Sequence, residues 1–259
     1  MSVLVVLFLT AVLALFSGVY NQGKFARYIG ILGLLVALCV SFSPELAFFN
    51  QYKSMFDFNE NAALFTKISL VVTLLIFFLG GFAFNNHRSH QSELYSLMLF
   101  SLIGAVILFS FTNLVTLFLG IEILSIPLYV MAGSNKTDLR SNEASIKYFL
   151  MGAFATGFLL FGIALIYGST GSFDVHVINT FSVANPKDLM FVMGIMLMLV
   201  AMAFKVSLAP FHMWSPDVYQ GAPSLITAFM ASVVKIAAFF AFFKVMNLAF
   251  AGSIKEWIN

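Results

Sequence analysis

Charge is what this chain has least of. Only 9% of its 259 residues are Asp, Glu, Lys or Arg, against roughly 25% in a soluble domain. Hydrophobic residues make up 61%. That balance excludes an ordinary water-soluble fold, and a net charge of +2 offers no basic surface for nucleic acid. A single cysteine, Cys39, rules out a disulfide within the chain and gives no reason to expect a cysteine-ligated metal. Rossmann glycines, a P-loop, HExxH and CxxC are all missing. No nucleotide, flavin, iron–sulfur cluster or other cofactor is expected to bind. No Lys or Arg precedes Lys24 and no small-residue cleavage site follows residues 2–20. A cleaved leader begins with a basic stretch, so residues 2–20 read as a retained first helix.

Long apolar runs are what the chain has in excess. A membrane crossing needs about 20 mostly apolar residues, which predicts spans near 2–20, 27–43, 64–84, 94–112, 114–133, 146–168, 189–208 and 224–248. The fold class is therefore an all-α polytopic membrane protein of about eight transmembrane helices. Asn113 is the one strong polar break between Glu93 and Ser134. That predicts a tight hairpin at Ser110–Asn113. Pro210 cannot continue an ordinary helix, so the seventh span should be discontinuous near Ser207–Pro210. Residues 44–63 and 169–187 read as the long polar connections, the second with GSTGSF and Asn185-Pro186 as turn signals.

Basic residues divide unevenly between the two sides. Lys24, Arg27, Arg88, Lys136, Arg140 and Lys147 fall on one; Lys53, Lys67, Lys187 and Lys255 fall on the other, offset by Glu45, Asp57, Glu60 and Glu256. The positive-inside rule makes the first side cytoplasmic and places the N-terminus outside.

Three charges lie where a purely lipid-filling helix would carry none. A lysine at the bilayer centre costs roughly 3 kcal/mol on insertion scales. Lys205 and Lys235 both sit in apolar runs, and Glu122 does so with the opposite sign. Glu122 is nine residues past Asn113, roughly 13 Å into a ~30 Å core. Ser125 and Tyr129 share its helical face, and Pro127 should kink the helix just beyond. The plain alternative is a protonated acid packed between helices. Lys235 lies roughly 16 Å beyond Ser224, on a face with Ser224, Ala228, Ala231, Ser232 and Ala238 that reads as buried and partly hydrated. For Lys205 the alternative is snorkelling, which apolar residues on both sides disfavour.

Lys147, near the start of the sixth span, reads equally as a relay group or a snorkelling end lysine. His212, just past the break, is a second candidate of that rank. Lys67 and Lys244 read as end-of-helix anchors, Asp217 and Tyr219 as turn residues, and His87, His90 and His176 as loop histidines. Desolvation disfavours a charged lysine and a nearby carboxylate restores it. A Glu–Lys pair that forms and breaks is therefore a switch for carrying a proton. One charge moved through 100 mV is worth about 2.3 kcal/mol, within reach of such rearrangements.

The runs FKVSLAPFHMWSPDVYQGAP, LFLGIEILSIPLYVMAG and EASIKYFLMGAF resemble those of the antiporter-like, proton-translocating membrane subunits of respiratory complex I. PDVYQGAP favours one of the paralogous branches. The resemblance implies a membrane-arm subunit driven by redox chemistry elsewhere in the complex. It implies a pair between Glu122 and Lys205, a route continued by Lys235, and family positions for Lys147 and His212. Expected partners are other membrane-arm subunits, the lipid bilayer and protons. The expected location is a bacterial inner membrane. Family members have about fourteen helices in inverted units. Residues 1–93 are thus read as the first three helices and 94–259 as the first antiporter-like unit, with the second unit missing. A cation/proton antiporter or membrane-hydrogenase subunit of the same fold is the alternative; a structural scaffold is the other.

Overall fold

A computed structural model describes residues 1–20, 25–43, 54–83 and 91–254. The helices are α1 (Ser2–Val19), α2 (Ala26–Val40), α3 (Glu60–Ala83), α4 (Gln91–Ser110), α5 (Leu114–Ala132), α6 (Leu139–Thr170), α7 (Val175–Ala184), α8 (Leu189–Val206) and α9 (Trp214–Gly221). A last rod, Ser224–Ala249, joins α10 (Ser224–Phe229) and α11 (Lys235–Lys244) through a π-turn at Met230–Val234 and ends in another at Val245–Ala249. Among the described residues, seven helices are long and apolar enough to cross a membrane. The shorter α2 occupies the predicted second span. The only β-pairing described is two isolated bridges, Phe56 with Phe111 and Asn113 with Asp174.

Side chains with short acceptors start the helices where the sequence changes from polar to apolar. Asn113 accepts from the Val115 N–H at 2.7 Å, Asp138 from Arg140 at 2.9 Å and Asp188 from Phe191 at 2.8 Å. Each satisfies a donor that has no partner within its own helix. The α4–α5 hairpin turns at Phe111–Asn113 as predicted, and α5 runs on through Pro127.

The core is centred on α4, whose residues are buried almost all the way round. α1, α2, α3, α5 and α11 pack on it. Ser96 donates to the Ala11 carbonyl and Ser101 to the Leu124 carbonyl, each at 2.8 Å. Hydroxyls that satisfy a neighbour's backbone let polar residues sit in the middle of an apolar bundle. At the α6–α8 crossing Gly162 and Gly194 face one another, and a Cβ on either would come within about 3 Å of the other's carbonyl oxygen (2.9 and 3.0 Å).

Several expectations change. α6 starts at Leu139, not residue 146, because Asp138 caps a polar first turn that continues directly into the apolar span. The 169–187 connection contains α7, started by Asp174, which accepts from His176 and Val177 N–H groups. His176 is therefore a first-turn helix residue. Asp217 and Tyr219 belong to α9, not to a turn. Ser224, Ala228 and Ala231 are exposed on this chain, so the stripe leading to Lys235 is an outward face and becomes buried only at Ala238. His87 and His90, like Lys24, Arg88, Lys53 and Lys255, lie outside the described residues.

Lys244 is the largest correction. The rod continues past it to Ala249, so it anchors no helix end. It is 7% exposed, donates to the Phe109 carbonyl at 3.2 Å and lies over the Phe111 ring at 4.6 Å. Phe109 O is among the last carbonyls of α4, which lack N–H donors in their own helix. Lys244 thus caps α4 from across the bundle. Lys244→Met should cost about 1–3 kcal/mol through the stranded carbonyl. We expect a lower thermal midpoint for the Lys244→Met protein in detergent, followed by far-UV circular dichroism.

Candidate functional site

The site forms where α8 stops. Ser207 takes a left-handed conformation, φ 60°, which is uncommon for a residue with a side chain and turns the chain out of the helix. Its N–H returns to the Phe204 carbonyl at 3.1 Å and the Leu208 N–H to the Ala203 carbonyl at 2.9 Å. The chain then crosses Ala209–Phe211 and re-enters the bundle as α9. The sequence placed this break correctly.

Lys205 lies in the last turn of α8, where the helix dipole favours a positive charge. Its amine reaches across to α5 and donates to Ser125 Oγ at 2.8 Å and Tyr129 OH at 3.3 Å. The snorkelling alternative fails for Lys205, since the amine turns inward. Lys235 follows the π-turn at Met230–Val234; such single turns recur at functional sites. Its amine donates to Ser207 Oγ at 2.6 Å and approaches the Lys205 carbonyl at 3.4 Å. The two lysines therefore share the end of α8, one by side chain and one by backbone.

Glu122 is half-buried, one turn along α5 from Ser125. It accepts from Thr156 Oγ1 on α6 at 2.7 Å. No ion pair within 4.0 Å joins it to Lys205: the described ion pairs are those of Lys147. Ser125 and Tyr129, which the sequence places beside Glu122, serve Lys205 instead. Glu122, Ser125 and Tyr129 still line one face of α5, so carboxylate and amine are neighbours along it without touching. A cavity of about 10 Å³, roughly the volume one water centre occupies, lies among Ser125, Tyr148, Lys205 and Ala238.

Lys147 is held by two carboxylates, Glu143 on its own helix and Asp217 on α9, each at 2.6 Å. Arg140, Glu143, Asp217 and Gln220 line an open concavity of about 300 Å³ there. His212 is exposed in the break, and only its carbonyl is engaged, by the Ser215 N–H at 2.9 Å. It is not brought together with the lysines. Thr156, Ser207 and Trp214 are the residues that sequence reasoning missed. Thr156 is a lone hydroxyl in an apolar run, 34 residues from the acid it serves, and no periodicity links them.

The chemistry follows from the partners. Hydroxyls donate as well as accept, so Ser125, Tyr129 and Ser207 can each hold an ammonium or a neutral amine. A lysine bonded to them can lose or gain a proton without stranding a buried charge partner. A tight Glu–Lys pair would resist that change.

Residues 111–259 match the family described as NADH:quinone oxidoreductase/Mrp antiporter, TM. The chain is similar to NADH-quinone oxidoreductase subunit N of Cytophaga hutchinsonii, 46% identical over 86% of this chain and 47% of that protein. It is also similar to the Flavobacterium johnsoniae subunit N, 41% identical over 84% of this chain and 47% of that one. Among solved structures it resembles a chain of respiratory complex I from Thermus thermophilus with bound aureothin. The TM-score is 0.72 and the identity 33%, over 93% of this chain and 52% of that one. The chain thus spans about half the length of the curated relatives it matches.

Proposed function

This chain belongs to the NADH:quinone oxidoreductase/Mrp antiporter transmembrane family, and from that premise we propose that it relays protons as part of a subunit N-type membrane-arm component of a respiratory NADH:quinone oxidoreductase. Residues 94–259 act as an antiporter-like unit. Glu122, Lys205 and Lys235 carry the relay, Lys147 serves at its mouth, and the redox groups belong to other subunits. The chain holds no cofactor of its own. Its partners are the other membrane-arm subunits, lipid and protons.

One observation supports this reading above the others. The Lys205 amine lies inside the bundle on neutral hydroxyls, a turn of α5 from Glu122 and beside the α8 break that Lys235 touches from the other side. A scaffold needs none of these expensive placements. Lys147, Arg140 and the open concavity lie at the end of the bundle that carries Lys136. By the positive-inside rule this end faces the cytoplasm. α1 runs antiparallel to α4, with Gly18 against Ser92, which supports the reading that Met1 lies at the opposite, outer end of an inner-membrane protein.

Glu122→Ala in the full-length protein of the assembled complex is expected to cut redox-driven proton pumping at least about 100-fold, the usual scale for losing a proton-transfer group. NADH-driven quinone reduction and complex yield report assembly in the same preparation. Unimpaired pumping in a correctly assembled variant leaves only the scaffold.

A further inference from the structure

Lys235 has an unusual set of neighbours. Its amine meets Ser207 Oγ and the Lys205 carbonyl, and no carboxylate lies within ion-pair distance among the described residues. Two aromatic rings of α9 complete the surroundings. The amine lies over the Trp214 ring at 5.3 Å from its centroid and over the Tyr219 ring at 5.9 Å. Those rings are nearly perpendicular, at 88° with centroids 6.3 Å apart, so the amine occupies the corner between them. Cations are drawn to aromatic rings within about 6 Å. The carbonyl end of α8 adds the negative end of a helix dipole.

Trp214 is built to stay there. It is 5% exposed, stacks on Tyr148 of α6 at 4.8 Å and 5°, and packs on Phe204 at 5.1 Å. Its indole N–H donates to the Phe204 carbonyl at 3.2 Å, one residue before Lys205. Lys147, the residue before Tyr148, holds Asp217, which lies between Trp214 and Tyr219 on α9. The rings are therefore fixed from α6 and α8 before they meet Lys235.

We propose that Trp214 and Tyr219 are positioning residues that form an aromatic corner for the protonated Lys235, taking the place of a carboxylate counter-ion in the relay. An aromatic corner suits a transferred proton better than an ion pair does. It favours the ammonium over the amine only modestly, where a buried carboxylate would hold it far more tightly. The lysine can then be loaded and still give the proton up. This assignment rests on the relay reading above.

The test replaces the indole's electron density while keeping its shape. Tryptophans carrying one to four ring fluorines, inserted at position 214 of the full-length protein in the assembled complex, weaken cation attraction stepwise with almost no change in volume. Redox-driven pumping should fall stepwise with fluorine number, to about 10-fold below the parent for the most substituted ring. Complex yield and quinone reduction report assembly. Tyr219→Phe, which keeps a ring, should pump nearly normally, and Tyr219→Leu should lose severalfold. A flat fluorine series overturns the proposal, as does equal loss in Tyr219→Phe and Tyr219→Leu. Glu122→Ala in parallel separates the two readings. A flat series beside a dead Glu122→Ala removes only the aromatic corner, while an active Glu122→Ala removes the relay itself.

Discussion

Lys205→Ala should abolish redox-driven proton pumping, by at least about 100-fold, in a complex that still assembles and reduces quinone. Among the described residues, the amine makes the only side-chain hydrogen bonds between the end of α8 and the Ser125–Tyr129 face of α5. Its removal leaves two hydroxyls that can satisfy themselves locally: Ser125 already donates to the Ile121 carbonyl at 2.6 Å. The structural cost is accordingly small. Lys205→Arg sharpens the test, because a guanidinium keeps the positive charge and donors but does not release its proton in a protein. It should assemble and fail to pump. If Lys205→Arg pumps normally, the proton does not pass through this side chain, and Lys205 serves only to join α5 and α8. The measurement is dye-reported acidification of membrane vesicles, normalised to quinone reduction in the same sample.

Gly104→Leu should prevent the bundle from forming. A Cβ at residue 104 would sit 2.7 Å from the Leu124 Cα and 2.8 Å from the Gly120 carbonyl oxygen. Both are backbone atoms of α5, and neither can swing aside as a side-chain tip can. Ordinary overpacking costs about 1–3 kcal/mol because neighbours relax; here the helices must separate, and we expect a loss beyond that range. The damage would spread to the site, since Leu124 lies next to Ser125 and between Glu122 and Tyr129 on α5. The expected result is little or no assembled complex in the membrane, with Gly104→Ala intermediate. Wild-type yield from Gly104→Leu would mean that α4 and α5 do not approach as described.

The predicted spans were legible because length and apolarity are local properties of a chain in lipid. So were the hairpin at Asn113, whose side chain caps α5, and the break after Val206, where Pro210 precludes an ordinary helix. Lys205 and Lys235 stood out for the same reason, as charges in runs that otherwise exclude them. Lys244 was set apart from them as an end-of-helix anchor, and the structure buries it instead. The continuation through a π-turn to Ala249 and the carbonyl it caps on α4 are both invisible along the chain. α7 was missed because ten residues are too few to cross a bilayer, and the turn signals around it looked like a plain loop.

The sequence alone was enough to say that the chain crosses a membrane many times, that one crossing is interrupted, and which charged residues are costly enough to need a reason. Those conclusions depend on the price of each residue in hydrocarbon, which is paid whatever its neighbours. Only the folded bundle decided who those neighbours are. Lys205 lies on Ser125 and Tyr129 and not on Glu122, Glu122 holds Thr156, and Lys235 sits in an aromatic corner. Partners 16 to 80 residues apart meet because α5, α6, α8, α9 and α11 pack in one bundle. Helical periodicity says which side chains share a face; it does not say which faces meet.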